Sequence, residues 1–290
     1  MVFPHPEWHS RLTFARVTCA VMGSRHSGNK RSAQSRPQEI AEELARALTV
    51  RADFLRDRGR HSRAEALYRE SLELRQKAFG RKHAEVAQGM NALANLLFER
   101  GQNPEAEALY RESLELRKRL LGSRHRDVAS SLSNLANLLQ SDGRYAEAES
   151  LYRESWRIRR KAYGLRHEKV AMCMSNLAVL LQSQRRAGEA RRLLQSALEM
   201  LKKTVGSRHE LTAYTKANFA DFLLSTGDSR QAYALAQEAW QDLRDVLPAG
   251  HRYVQWARQV RSRAKAALSA IGVRRPKPRH TASGRLPKAG

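Results

Sequence analysis

The twelve residues AEALYRESLELR stand at positions 64–75 and return unchanged at 106–117. At 148 the chain reads AESLYRESWRIR and at 190 ARRLLQSALEML, so the step of 42 residues runs through the whole sequence. Five histidines keep the same step without belonging to that stretch: His83, His125, His167, His209 and His251, four of them closing GRKH, GSRH, GLRH and GSRH. Self-similarity at roughly 20 to 50 residues signals a stacked array, in which each unit is too small to bury its own apolar face and borrows the surface of the next copy. A repeated interface demands repeated residues.

Each unit divides into two helices. In the third, Val128, Leu132, Leu135, Ala136 and Leu139 follow spacings of 3 and 4 and give one apolar stripe, helix A. Gly143 interrupts, and Ala148, Leu151, Tyr152, Ser155 and Ile158 form the stripe of helix B, which Gly164 ends. The short connection SDGRY requires the two helices to run antiparallel. Small residues recur where helix axes must approach: Ala94, Ala136, Ala178 and Ala220 on helix A, and Ala64, Ala106, Ala148, Ala190 and Ala232 on helix B. Tyr68, Tyr110, Tyr152 and Leu194 are the large residues at one helix B position. In the opening stretch Ala64, Leu67, Tyr68 and Ser71 are expected to face a neighbour, and Arg69, Glu70, Glu73 and Arg75 to turn outward.

The expected fold is therefore all-α: a right-handed α-solenoid of about five antiparallel helix pairs over residues 38–272, with 251–272 as a capping helix rich in Arg and Lys. Residues 1–37 and 273–290 are expected to be disordered basic tails, since they mix Pro, Gly, Ser and cations without a helical period. The apolar run LTFARVTCAVM is interrupted by Arg16 and lacks the charge-first layout of a signal peptide, and translation from either Met1 or Met22 fits the sequence.

Composition limits the partners. The formal net charge is +24, of which residues 1–37 carry +5 and residues 272–290 carry +6, leaving +13 on the array itself. Such a field attracts acidic partners at low salt. No window of about 18 uncharged apolar residues exists, which excludes a membrane-spanning helix. Two cysteines, Cys19 and Cys173, suit neither a disulfide framework nor a zinc site, and a cytoplasmic setting is expected.

No catalytic constellation is found. The periodic histidines would lie roughly 10 Å apart in stacked units, too far to share a metal ion, and a role in capping helix A or packing on the preceding turn is expected. HEKVA and HELTA miss the second His of a zinc motif, and GSRHSGNK misses the lysine spacing of a phosphate loop. Neither a cofactor nor enzymatic activity is expected.

The unit H-x-x-V-A-x-x-x-x-N-L-A-x-L-L-x-x-x-G-x-x-x-E-A-E-x-L-Y-R-E-S-L-E-L-R resembles the tetratricopeptide repeat in its 42-residue form, as in kinesin light chains. Its small–large–small signature falls on Leu135, Ala136, Leu139, Ala148, Tyr152 and Ser155. The fourth unit departs from it at Leu194, where Tyr is usual, and at Arg185, where Gly is usual, and the first unit has Ala41 for the leading His. No heptad region precedes the repeats, which argues against a true motor subunit. The resemblance implies a non-catalytic scaffold whose A helices line a concave groove for a peptide or protein partner. The groove candidates it implies are Asn91, Asn95, Ser133, Asn134, Asn137, Ser175, Asn176, Asn218 and Asp221. Asparagine offers both a donor and an acceptor to a peptide backbone. The same Asn134, Asn176 and Asn218 could equally bond the neighbouring helix. The positive field suits an acidic ligand. An alternative reading is a polyanion or nucleic-acid adaptor, because the basic runs RQKAFGRKH, RKRLLGSRH, RRKAYGLRH and KKTVGSRH would align as a ridge along one edge.

Overall fold

The computed structural model describes residues 35–273. The basic segments expected at 1–37 and 273–290 lie outside the described residues, except that Ser35–Pro37 already belong to the first helix and Val273 to the last. Eleven α-helices follow in order, and no strand occurs among the described residues. They are α1 (Ser35–Asp57), α2 (His61–Phe79), α3 (Ala84–Glu99), α4 (Asn103–Leu121), α5 (Arg126–Ser141) and α6 (Tyr145–Tyr163), then α7 (Glu168–Ser183), α8 (Ala187–Thr204), α9 (Glu210–Ser225), α10 (Ser229–Val246) and α11 (Arg252–Val273). Odd-numbered helices are helix A and even-numbered ones helix B. Each packs mainly on the helix before and the helix after it, which makes the molecule a solenoid of helix pairs.

The turns explain the antiparallel pairing. Between α5 and α6, Gly143 takes φ 76°, a conformation that costs other residues steric strain. The reversal lets Gly143 N donate to Gln140 O and Arg144 N to Leu139 O, so the last carbonyls of α5 keep partners. At the other edge, His83, His125, His167 and His209 sit at the N-cap of α3, α5, α7 and α9. Each Nδ1 accepts from the backbone N–H two residues on, at 3.1 to 3.2 Å. Imidazole here replaces the usual Ser or Asp oxygen as the acceptor for an otherwise orphaned amide. The 42-residue histidine step is thus a helix-start signal.

Packing follows the small and large positions. Ala94, Ala136, Ala148, Ala178 and Ala190 are fully buried, as are Tyr110, Tyr152 and Leu194. Ser71, Ser113 and Ser155 each donate 2.7 Å bonds to the carbonyls of Ala45, Ala87 and Ala129 on their own helix A. A hydroxyl there satisfies itself without enlarging the side chain, so the helix axes stay close. Arg75 corrects one expectation. Instead of facing outward it is buried at 1 % exposure, with Nη1 donating to Ser71 and Thr49 and Nε 3.5 Å from Glu85. Gly89 leaves the space it needs, since a Cβ there would stand 3.3 Å from Arg75 Nη1.

The solenoid curves tightly. Residues 131–140 of α5 are all buried, a pattern that only helices packed on every side produce. At one point the array meets itself: Arg252, at the start of α11, pairs with Glu99 at the end of α3, 153 residues away. Glu99 also stands 3.7 Å from Arg56 of α1.

Candidate partner-binding site

The nine sequence candidates all lie on A helices, and most of them bond to neighbouring helices of the array. Asn134 Nδ2 donates to Asn91 Oδ1 at 3.3 Å, and Asn218 Nδ2 to Ser175 Oγ at 3.2 Å. Both bonds join helix A of one unit to helix A of the unit before. Ser133 shares a 2.7 Å bond with Ser155. Asn95 Oδ1 accepts from Tyr110 at 2.6 Å, and Asn137 Oδ1 accepts from Tyr152. Asp221 accepts from Arg263 of α11 at 2.8 Å. Ser133, Asn134, Asn137, Ser175, Asn176 and Asn218 are buried, while Asn91, Asn95 and Asp221 are half-buried. Packing within and between units therefore uses much of the hydrogen-bonding capacity that the sequence placed on these helices.

One region keeps capacity in reserve. A cavity of about 450 Å³ opens between the C-terminal halves of α7 and α9, the turn between α7 and α8, and the first turns of α11. Asn176, Asn218 and Asp221 line it, together with Gln140, Val179, Arg185, Ala187, Tyr214, Phe222 and Trp256. Among the described residues, Asn176 Nδ2 and Gln140 Nε2 have no hydrogen-bond partner. Burial pushes the Tyr214 phenol up, so it stays neutral. Its ring lies 4.8 Å from that of Tyr253 on α11.

The fourth unit built this space by abandoning its own repeat. Val179 stands where the second and third units have Asn95 and Asn137, Arg185 where they have Gly101 and Gly143, and Ala187 where the third has Tyr145. Arg185 is the one positive-φ residue other than glycine among the described residues, at φ 61°. It is exposed, and no ion pair holds it among the described residues. Its neighbour Arg186, in contrast, is clamped by Glu149 and Glu189. The sequence did signal these positions through the broken repeat at Arg185 and Leu194, but a break shows its meaning only when the residues are seen around one cavity. Trp256 and Gln140 carried no such signal.

The comparisons with known proteins agree with the repeat fold. The tetratricopeptide repeat model matches residues 43–119, 85–161 and 127–203, in overlapping frames that together run from 43 to 203. Among solved structures, BtubC (BKLC) from P. vanneervenii is similar over 89 % of this chain and 100 % of its own, at 21 % identity and TM-score 0.54. A kinesin light chain of nearly identical TPR-like repeats from P. anserina is similar over 73 % of this chain and 99 % of its own, at 21 % identity and TM-score 0.55. The apo form of RapI covers 90 % of this chain and 92 % of its own, at 12 % identity and TM-score 0.52. At such identities the likeness is one of fold. No curated protein matches the sequence.

Proposed function

The chain belongs to the tetratricopeptide repeat family, and we propose that it is a non-catalytic scaffold holding a protein or peptide partner on the concave face, at the cavity between α7, α9 and α11. The observation that carries this reading is that three of the nine groove candidates, Asn176, Asn218 and Asp221, line one cavity together with apolar side chains and the exposed Arg185. Val179, Phe222 and Trp256 offer an apolar seat for a side chain, with Asp221 and Arg185 as polar groups at its rim. Arg185 and the net charge of +24 favour an acidic segment. No helix among the described residues is long and apolar enough to cross a membrane.

The test fills the cavity with the repeat's own residues. Peptides selected from a random 12-residue library for binding to the wild-type chain are titrated calorimetrically against Val179→Asn, Ala187→Tyr, which restores the side chains of the third unit. Loss of at least about tenfold in affinity, with helicity unchanged, is expected for a ligand seated there. Equal affinity for both proteins would place the partner elsewhere.

A further inference from the structure

We propose that the edge carrying the first four of the five connections from helix B to the next helix A binds the phosphodiester backbone of a nucleic acid, a surface separate from the concave cavity. Antiparallel pairs stacked in sequence place every such connection on the same side. That edge is therefore made of the C-terminal turns of α2, α4, α6 and α8, the linkers after them, and the N-termini of α3, α5, α7 and α9.

The two sets of cations in this molecule are treated differently. On the outer face, arginines are held by carboxylates in a continuous ribbon. Arg69 bonds Glu65 and Glu105, Arg111 bonds Glu107, Arg144 bonds Glu107 and Glu147, and Arg153 and Arg186 both bond Glu149. These charges are neutralised locally. On the edge, Lys82, Arg119, Arg124, Lys161, Arg166 and Lys203 are exposed, and among the described residues none has a carboxylate within ion-pair distance. Each unit also sets one acid there, Glu85, Asp127, Glu168 or Glu210, in the first turn of helix A. Three of these are already engaged: Glu85 approaches Arg75, Asp127 approaches His125 and Glu168 approaches His167. The N-terminal ends of four A helices add partial positive charge at the same place. Elsewhere on the edge Lys77, Lys118 and Lys202 pair with Glu73, Glu115 and Glu199, and Arg208 pairs with Asp242 and Asp245, so the free charge is that of the six cations above, five of them around the two linkers at Gly122 and Gly164 and at the ends of α4, α6 and α8.

The repetition selects the partner. Each unit offers nearly the same cations at a spacing of roughly 10 Å, the usual distance between packed helices. An evenly repeated row of like charge matches a polymer whose own charge is even and repeated, which is the phosphate backbone, and has no reason to match one irregular acidic patch on a folded protein. Such contacts carry no base readout, so binding is expected to be indifferent to sequence and steep in salt.

The full chain is titrated by fluorescence anisotropy with a 30-nucleotide single-stranded DNA, the matching RNA and a 30-base-pair duplex, at 50 to 200 mM salt. Two double variants with the same change in charge are compared: Arg124→Gln, Arg166→Gln on the edge and Arg111→Gln, Arg153→Gln on the outer face. With about six phosphate contacts, wild-type affinity for the duplex should fall on the order of 1000-fold across that salt range, with the edge variant weaker by about tenfold and its salt slope shallower by at least one. The outer-face variant should stay within about twofold of wild type. Equal weakening of the two variants would show a diffuse or tail-borne attraction and overturn the proposal. So would binding that polyglutamate, or vesicles of anionic lipid, competes away as well as unlabelled nucleic acid does at equal charge.

Discussion

The second and third units build the inner face with a polar pair, while the fourth unit builds the same place without one. Tyr110 donates to Asn95 and Tyr152 to Asn137, with both partners at corresponding positions of consecutive units. In the first unit the pair is Tyr68 with Asp53. In the fourth, both members change together, to Val179 and Leu194. The fifth has Asp221 and Ala236, and its acid turns instead to Arg263 of α11. A buried amide that loses its partner costs more than the bond contributed, so the pair persists or vanishes as a unit. The lesson is that departures from a repeat come in compensated sets, and where the set leaves space, as around Val179, the space is open to a ligand.

The largest expected effect comes from breaking that rule in the third unit. Tyr152→Leu removes a fully buried ring and leaves the Asn137 side chain, itself fully buried, without the hydroxyl that bonds it. Cavity and unpaired amide together should cost about 3 to 4 kcal/mol in urea denaturation. Adding Asn137→Val makes the site match the fourth unit. The double variant should recover at least about 1 kcal/mol of that loss. If the double variant is no more stable than the single, the two positions are independent and the comparison between units fails.

The same contrast explains what the sequence disclosed. Stacked helix pairs were legible because the apolar stripes, the alanines and the 42-residue step all repeat, and repetition multiplies a weak local signal. The nine groove candidates are legible as polar positions of helix A, and for two of the three asparagines at the shared repeat position the structure favours the alternative of a bond to the neighbouring helix, Asn134 to Asn91 and Asn218 to Ser175. Arg75 was misplaced because helical periodicity scores arginine as solvated, whereas Gly89 and Thr49, on other helices, make a buried seat for it. The pairing of Arg252 with Glu99 could not be read at all, since it depends on how far the solenoid has curved after three further units.

That pairing gives the next effect, which compares the closed end of the array with its open middle. His251, beside it, accepts from Tyr253 N, and burial together with the charges of Arg252 and Arg56 pushes its imidazole down to about 4. An unfolded histidine titrates near 6.5, so the folded protein binds the proton less readily than the unfolded chain does. The resulting stability is fully present above pH about 6.5 and is lost as pH falls through about 4. Its size is up to about 3 kcal/mol. In His251→Gln, the pH dependence of the thermal midpoint between 7 and 4 should flatten relative to wild type. A matching slope in the two proteins would assign the dependence to carboxylates elsewhere.

The smallest effect returns to the fourth unit, at Arg185. Its φ of 61° is the conformation that glycine holds at the corresponding turns of the other units, as at Gly101 and Gly143. A side chain in that region costs about 1 to 2 kcal/mol relative to glycine, partly offset because glycine has more freedom to lose on folding. Arg185→Gly should therefore stabilise the chain by roughly 1 kcal/mol, a rise in the thermal midpoint of a few degrees at most. The strain is tolerated in the one unit whose turn borders the cavity, and in that position the guanidinium stands exposed beside the cavity without an ion pair among the described residues. Arg185→Gly should then weaken acidic library peptides while leaving neutral ones unaffected. A variant that is no more stable than wild type would mean the turn carries no strain, and the link between the broken repeat and the ligand site would rest on Val179 and Ala187 alone.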